Sequence, residues 1–200
     1  MNRQRFDGAI AGVGTTSGLR IVLGVWGYSP FGPIVDAMLE LPDGPRILLA
    51  PTSAVADFIA ATYSFDQVRV EATSVRLAAD RLVLRADSLE LTIILGARTA
   101  VGRLLATVPR FVARSRFWGR LIDPVAARVR PGVHTVGTAG QGRREWYCAL
   151  DEHAVIGIHG RFEGAPVGRL APVWPPVRFG FSSTPPRPAL VRVTTYVQSG

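Results

Sequence analysis

Asp36, Glu40, Glu90 and Glu145 are acidic side chains that lie within segments whose alternation predicts β-strands. A carboxyl that points inward from a strand is costly unless it is paired, so each marks either a solvated position or a built polar site. Period two puts Glu145, Tyr147 and Ala149 on one side of the strand Arg144 to Leu150, and Arg144, Trp146 and Cys148 on the other. A carboxyl beside a phenol inside a barrel would hold a ligand or exchange a proton with it. On the outer wall the same pair is a solvated one. The alternation leaves open which side faces inward.

The other reactive residue types narrow the chemistry. The chain contains no lysine, since all 23 basic residues are arginine; this excludes lysine Schiff-base catalysis. The three histidines show no His-x-His, HExxH or carboxylate–histidine spacing, so neither a metal nor a cofactor is expected. His153 falls in an expected turn. In Ala154 to Phe162, His159 shares a face with Val155, Gly157 and Arg161, and it points outward if the more apolar face of Ala154, Ile156, Ile158 and Phe162 lines the interior. The single cysteine, Cys148, excludes an intrachain disulfide and reads as core; a reducing cytoplasm is the simplest compartment. No G-x-S-x-G elbow is present. The run Gly12 to Gly18 has neither phosphate-loop nor dinucleotide spacing and is expected to be a hairpin turn.

Charge is concentrated in one stretch. Between residues 97 and 131 lie eight arginines, among them Arg110, Arg114 and Arg116, against one acid, Asp123. Apolar residues recur there at helical spacing: Val101, Leu104, Leu105, Val108, Phe111 and Val112, then Trp118, Leu121, Ile122, Val125 and Val129. Pro109 and Pro124 divide the segment into two or three short helices. The expectation is a cover over one mouth of the fold, its apolar stripe inward and its arginines at the rim. Such a segment suits a small anionic molecule or an anionic membrane surface. Charge elsewhere is nearly balanced and no nucleic-acid module is recognisable, so nucleic acid is not an expected partner. The N-terminus makes a poor signal peptide, and no window is apolar enough to span a membrane as a helix. A cytoplasmic protein, peripheral to a membrane at most, is expected.

The elements that position these residues are mostly short strands. Phe6 to Thr16 and Leu19 to Trp26 come first. Ile34 to Leu41 and Arg46 to Ala50 follow, joined by Pro42-Asp43-Gly44-Pro45. In the third strand Ile34, Asp36, Met38 and Glu40 take one face, and Val35, Ala37, Leu39 and Leu41 the other. Thr52 or Ser53 caps a short helix over 54–62. Strands resume over 65–71, 74–79, 81–86 and 89–95. After the Arg-rich segment, Arg144 to Leu150 and Ala154 to Phe162 read as a hairpin across Asp151-Glu152-His153, and Val177 to Ser182 and Leu190 to Val197 as a last one. The fold class is mainly β (α+β): a single antiparallel β-barrel domain over 1–200, with one short helix and a two- to three-helix insertion at about 97–131.

The stretch Ser29 to Val70 runs SPFGP, strand, DG turn, LLAP, the helical AVADFIAATY and another strand. This layout resembles the first half of acetoacetate decarboxylase-like barrels. The resemblance implies a barrel with an interior site. It departs at the catalytic element: the family's glycine-arginine-glutamate run and proline-lysine pair are absent, and the corresponding stretch reads TYSFDQ, Thr62 to Gln67. Gly24-Val25-Trp26 also matches the G-x-W near the start of lipocalins. Together these features suggest a β-barrel that binds a small apolar or acidic molecule without lysine chemistry, in a mainly apolar cavity inside the barrel. Two alternatives stand beside it, an acid/base enzyme on the same scaffold and a peripheral membrane protein. The candidate ligand-binding residues are Arg110, Arg114, Arg116, Glu145, Tyr147 and His159; no catalytic residue is assigned.

Overall fold

A computed structural model describes residues 3–115, 136–138, 142–180 and 183–198. The first four strands form a meander: β1 (Arg3–Thr15), β2 (Arg20–Tyr28), β3 (Ile34–Glu40) and β4 (Arg46–Ala50). Helix α1 (Ser53–Ala60) follows, and then β5 (Gln67–Val70), β6 (Ser74–Leu77), β7 (Arg81–Arg85) and β8 (Leu89–Arg98). The described part of the Arg-rich segment holds α2 (Ala100–Ala106) and α3 (Arg110–Ala113). The chain returns through β9 (Val136–Thr138), β10 (Arg144–Phe162), the two-residue strands β11 (Ala165–Pro166) and β12 (Leu170–Ala171), and β13 (Ala189–Gln198).

All of these strands belong to one sheet, whose main path runs β5-β4-β3-β2-β1-β13-β10-β8-β7-β6. The expected closed antiparallel barrel is corrected in two respects: the sheet is mixed, and it curls into a half-barrel. The pair β4–β5 is parallel, with Ile47 opposite Gln67. The reason is α1, which carries the chain back along β4 so that the next strand runs in the same direction. The ends of the path, β5 and β6, are four residues each and do not pair with each other. Side chains tie this region together instead. Arg69 meets Glu163 at 2.6 Å, and the Glu71 carboxylate accepts from the Ser88 amide and hydroxyl at 2.8–2.9 Å.

Local chemistry explains several elements. Thr52 caps α1 by accepting from the Val55 amide. Gly18 (φ 85°) and Gly44 (φ 103°) supply the left-handed turn residues of the β1–β2 and β3–β4 hairpins. The expected hairpin at Asp151-Glu152-His153 is absent: β10 runs unbroken through it for 19 residues. The three polar residues find partners from the end of β8 and beyond. Asp151 meets Arg98 at 2.8 Å, Glu152 accepts from Thr99 at 2.6 Å, and His153 Nδ1 lies 3.2 Å from the Gly96 carbonyl. Register shifts around these residues change the phase of the strand, so Val155 is buried and Ile156 is 64% exposed, opposite to the expected faces. Residues 177–180 form no strand, so the last expected hairpin is also absent; β13 pairs with β1 and β10.

The main core lies on one face of the curled sheet, where Ala11, Ile21, Leu23, Leu39 and Leu49 from one half meet Leu82, Leu84, Leu91 and Ile93 from the other. The barrel interior is thus packed with side chains. A second cluster lies on the opposite face, where Phe6, Ile34, Leu48 and Val197 pack under Val55 and Ile59 of α1.

The Arg-rich helices seat differently from expectation. Helix α2 approaches β10 through Gly102, whose missing side chain admits the Glu152 backbone; an added Cβ would stand 2.2 Å from the Glu152 carbonyl oxygen. Leu104 and Phe111 are 68% and 81% exposed, so the stripe is not buried along its whole length. Residues 116–131, including Trp118 and the rest of the expected stripe, lie outside the described residues. Leu39→Ala should cost about 2–5 kcal/mol, whereas Leu104→Ala should change stability by no more than about 0.5 kcal/mol. Chemical denaturation of the two variants checks this, and equal losses would contradict the packing described.

Candidate functional site

Alternation on β1, β2, β3 and β13 gives each strand two buried faces. One joins the main core. The other lines a cavity of about 200 Å³, roofed by α1 and by residues Val177, Phe179 and Ser183 to Pro185. The floor carries Ile10, Val22, Ile34, Met38 and Val193, so the cavity is mainly apolar, as expected, but lies on the face opposite the barrel interior.

The roof is fastened by an ion cluster. Glu40, with no exposed surface, accepts from the Arg178 amide and Nε at 2.9 Å each, and Arg178 Nη2 lies 2.8 Å away. Arg20 Nη2 stands 3.4 Å from the same carboxylate and also donates to the Leu41 carbonyl, while Arg20 Nη1 donates to the Pro175 carbonyl. These contacts hold Val177 and Phe179 over the sheet. The Ser64 amide donates to the Phe179 carbonyl at 2.8 Å, and Gly180 lies against the Tyr63 ring.

One patch of the wall is polar. Tyr63, just after α1, donates to Glu145 Oε2 at 2.9 Å; Tyr147 reaches the same oxygen at 3.2 Å; and the two phenols share a short hydrogen bond. Glu145 is 2% exposed and meets no cation directly among the described residues. Burial pushes its carboxyl up to about 7, against the opposing pull of the two phenols and of Arg143. Burial also raises both tyrosines well above the usual phenol value. Arg143 is held nearby, donating to the Thr62 hydroxyl at 2.8 Å and the Phe58 carbonyl at 3.0 Å, with its guanidinium over the Phe58 ring.

Asp36 is the second buried acid, 4% exposed. Its Oδ1 accepts from Trp26 Nε1 at 2.9 Å, and burial pushes this carboxyl up to about 7. Gly24 makes room for the pair: a Cβ there would stand 2.4 Å from Asp36 Oδ1 and 2.5 Å from Trp26 Nε1. Thr195, opposite Tyr147 across β10 and β13, also lines the cavity, and its buried hydroxyl has no hydrogen-bond partner.

The structure brings Glu145 and Tyr147 together in this cavity. His159 is exposed on β10, away from it. Arg110 is exposed on α3, and Arg114 lines a separate cleft with Asp7, Tyr28 and Arg192. Arg116 lies outside the described residues. No arginine lines the main cavity among the described residues. Glu90 is exposed. Cys148 is buried, and burial lifts its thiol to about 11, which suits a packing residue. No group of three or more potential metal ligands occurs among the described residues, and none of their helices is long and apolar enough to cross a membrane. Tyr63, Trp26 and Thr195 were not marked by the sequence as site residues.

No family model matches the chain, and neither does any curated protein. Among solved structures, the chain aligns with a crystal structure of acetoacetate decarboxylase from Legionella pneumophila at 7% identity, covering 100% of this chain and 85% of that one, with a TM-score of 0.48. That likeness concerns the course of the chain and carries nothing about its chemistry.

The two raised carboxyls make stability depend on pH. Each holds its proton more tightly in the folded state than in the unfolded chain, where values lie near 4. Their contribution is therefore fully present below about 4, declines as pH rises to about 7, and levels off above that. Asp66, lowered to about 2 by hydrogen bonds from Arg46, acts in the opposite sense but only below about 4. Melting temperature should fall between pH 4.5 and 7.5, with a flatter profile in the Asp36→Asn/Glu145→Gln double variant. Parallel profiles for parent and variant would show that these carboxyls are not perturbed.

Proposed function

We propose that the protein binds a small, mostly apolar molecule in the cavity between the sheet, α1 and residues Val177, Phe179 and Ser183 to Pro185. The observation that carries this reading is the wall itself: aliphatic and aromatic side chains nearly throughout, with a few polar groups, the Tyr63–Glu145–Tyr147 cluster and the Trp26–Asp36 pair among them, that would orient a ligand. At about 200 Å³ the space lies below the roughly 300–1,000 Å³ of pockets for drug-sized ligands, so the occupant is small. An arginine-paired acidic head finds no support in the described lining.

A second reading, acid/base catalysis on the bound molecule, is favoured by one observation. Glu145 titrates near neutrality beside two phenols, which is the condition for a proton-transfer group. Native mass spectrometry of the purified protein, followed by extraction and incubation of any bound molecule, separates the two: return of the molecule unchanged supports binding, and conversion supports catalysis.

The cavity is tested directly by titrating 1-hexanol while following methyl NMR signals. Saturable shifts are expected at Ile10, Ile34 and Val193. Ala149→Phe, which places a ring in the cavity, should abolish them while the fold persists. Shifts spread over the whole molecule, or shifts that survive the filling variant, would remove the basis for this function.

A further inference from the structure

The cavity's polar patch has its hydrogen-bond donors and acceptors in unequal supply. Two phenolic protons serve three close contacts, Tyr63 to Glu145, Tyr147 to Glu145, and phenol to phenol. The Trp26 N–H is taken by Asp36 Oδ1. Acceptors are in surplus: Glu145 Oε1 and Asp36 Oδ2 have no partner among the described residues, and neither does the buried Thr195 hydroxyl, which accepts as readily as it donates. With both carboxyls ionised, these acceptors suit an occupant that brings donors.

Charge points the same way. Two carboxyls line the cavity, and neither has a direct cation among the described residues. Arg143 is engaged with Thr62 and the Phe58 carbonyl and acts on Glu145 only from a distance. The wall beside them is aromatic. Phe6 packs edge-on to Trp26 at 5.5 Å and stacks with Phe58 at 5.4 Å. Aromatic faces next to carboxylates are the surroundings in which ammonium groups are bound.

We propose that the polar lining of the cavity receives a cation, so that the ligand is a small apolar molecule bearing an ammonium group paired with one of the two buried carboxyls, Glu145 or Asp36. This rests on reading the cavity as a small-molecule site and adds the chemical class of the ligand. The groups facing Glu145 are Tyr63 from beyond α1, Tyr147 on its own strand, and Arg143 at a distance; Asp36 faces Trp26 from β2, with Tyr147 nearby. A cation placed here favours the ionised carboxyls. Binding near neutral pH therefore releases protons, and affinity rises between about pH 6 and 8.

The test compares three six-carbon compounds, hexylamine, 1-hexanol and hexanoate, by calorimetry at pH 8, with the amine repeated at pH 7 in two buffers of different ionisation enthalpy. Hexylamine should bind at least about tenfold more tightly than 1-hexanol, with hexanoate weakest, and should release protons at pH 7. Whichever carboxyl seats the ammonium, its amide variant (Glu145→Gln or Asp36→Asn) should lower amine affinity about tenfold or more, with circular dichroism confirming that the variant is folded; if neither folded variant weakens the amine, the assignment is overturned. If 1-hexanol binds and hexylamine binds no more tightly, or hexanoate binds most tightly, the cationic assignment is overturned while the small-molecule reading stands. If none of the three binds, both fall.

Discussion

A carboxylate with no exposed surface must be paired or it destabilises the fold by several kcal/mol, and the way Glu40 meets this requirement sets the form of the molecule. Its position is forced by β3, where it shares a face with Asp36 and Met38. Its partners come from opposite ends of the chain: Arg20 from the neighbouring strand, and Arg178 from a segment that forms no strand of its own. Satisfying Glu40 therefore pulls the segment after β12 across the sheet, and Arg20 secures it again through Pro175. That cluster acts together with the apolar packing of Val177 and Phe179 on Val22 and with the Ser64–Phe179 hydrogen bond to keep the face opposite the core covered.

The sheet then has to support two buried faces at once. On β1 to β3 the odd-numbered residues complete the main core, and even-numbered ones such as Ile10, Val22 and Met38 line the cavity. The core face fills completely because two halves of a curled sheet press side chains together from both directions. The other face meets a short helix and an irregular segment, whose shapes cannot interlock with a flat row of side chains, and a cavity results. Its polar groups sit where the backbone makes room for them. Gly24 is the clearest case, since any side chain there would displace the Trp26–Asp36 hydrogen bond.

Much of this arrangement was legible in the sequence, but unevenly. The faces of β3 and the Thr52 cap follow from period and residue type alone, and both appear as read. The Asp151-Glu152-His153 run misled because three polar residues between apolar runs look like a turn. What keeps them in a strand is a set of partners, Arg98, Thr99 and Gly96, some 50 residues away, which no local pattern reveals. The same limit applies to the site. Glu145 and Tyr147 share a strand face, so their pairing could be read. Tyr63 lies in the stretch TYSFDQ, which carries no periodicity, and it joins them only through the return of α1 to the sheet. The inward side of Glu145 was unreadable for a further reason: Trp146 on the opposite face is also buried, so hydrophobicity does not distinguish the two sides.

Three buried acids, Asp36, Glu40 and Glu145, thus line or border one surface, and the chain treats them differently. Glu40 receives two guanidinium groups and becomes part of the framework. Glu145 receives two phenols, and Asp36 a single indole N–H. Neutral donors compensate a buried charge only partly, which is why both of these carboxyls rise to about 7. The difference does not come from a shortage of cations in a chain with 23 arginines; Arg143 stands close by and is held against Thr62 and Phe58 instead. A structural carboxylate would be stabilised by the treatment Glu40 receives. Among the described residues Asp36 and Glu145 are left short of positive charge, which lowers the stability of the ionised protein and is relieved by a proton or by an added cation; this difference from Glu40 is the ground on which a binding site is proposed.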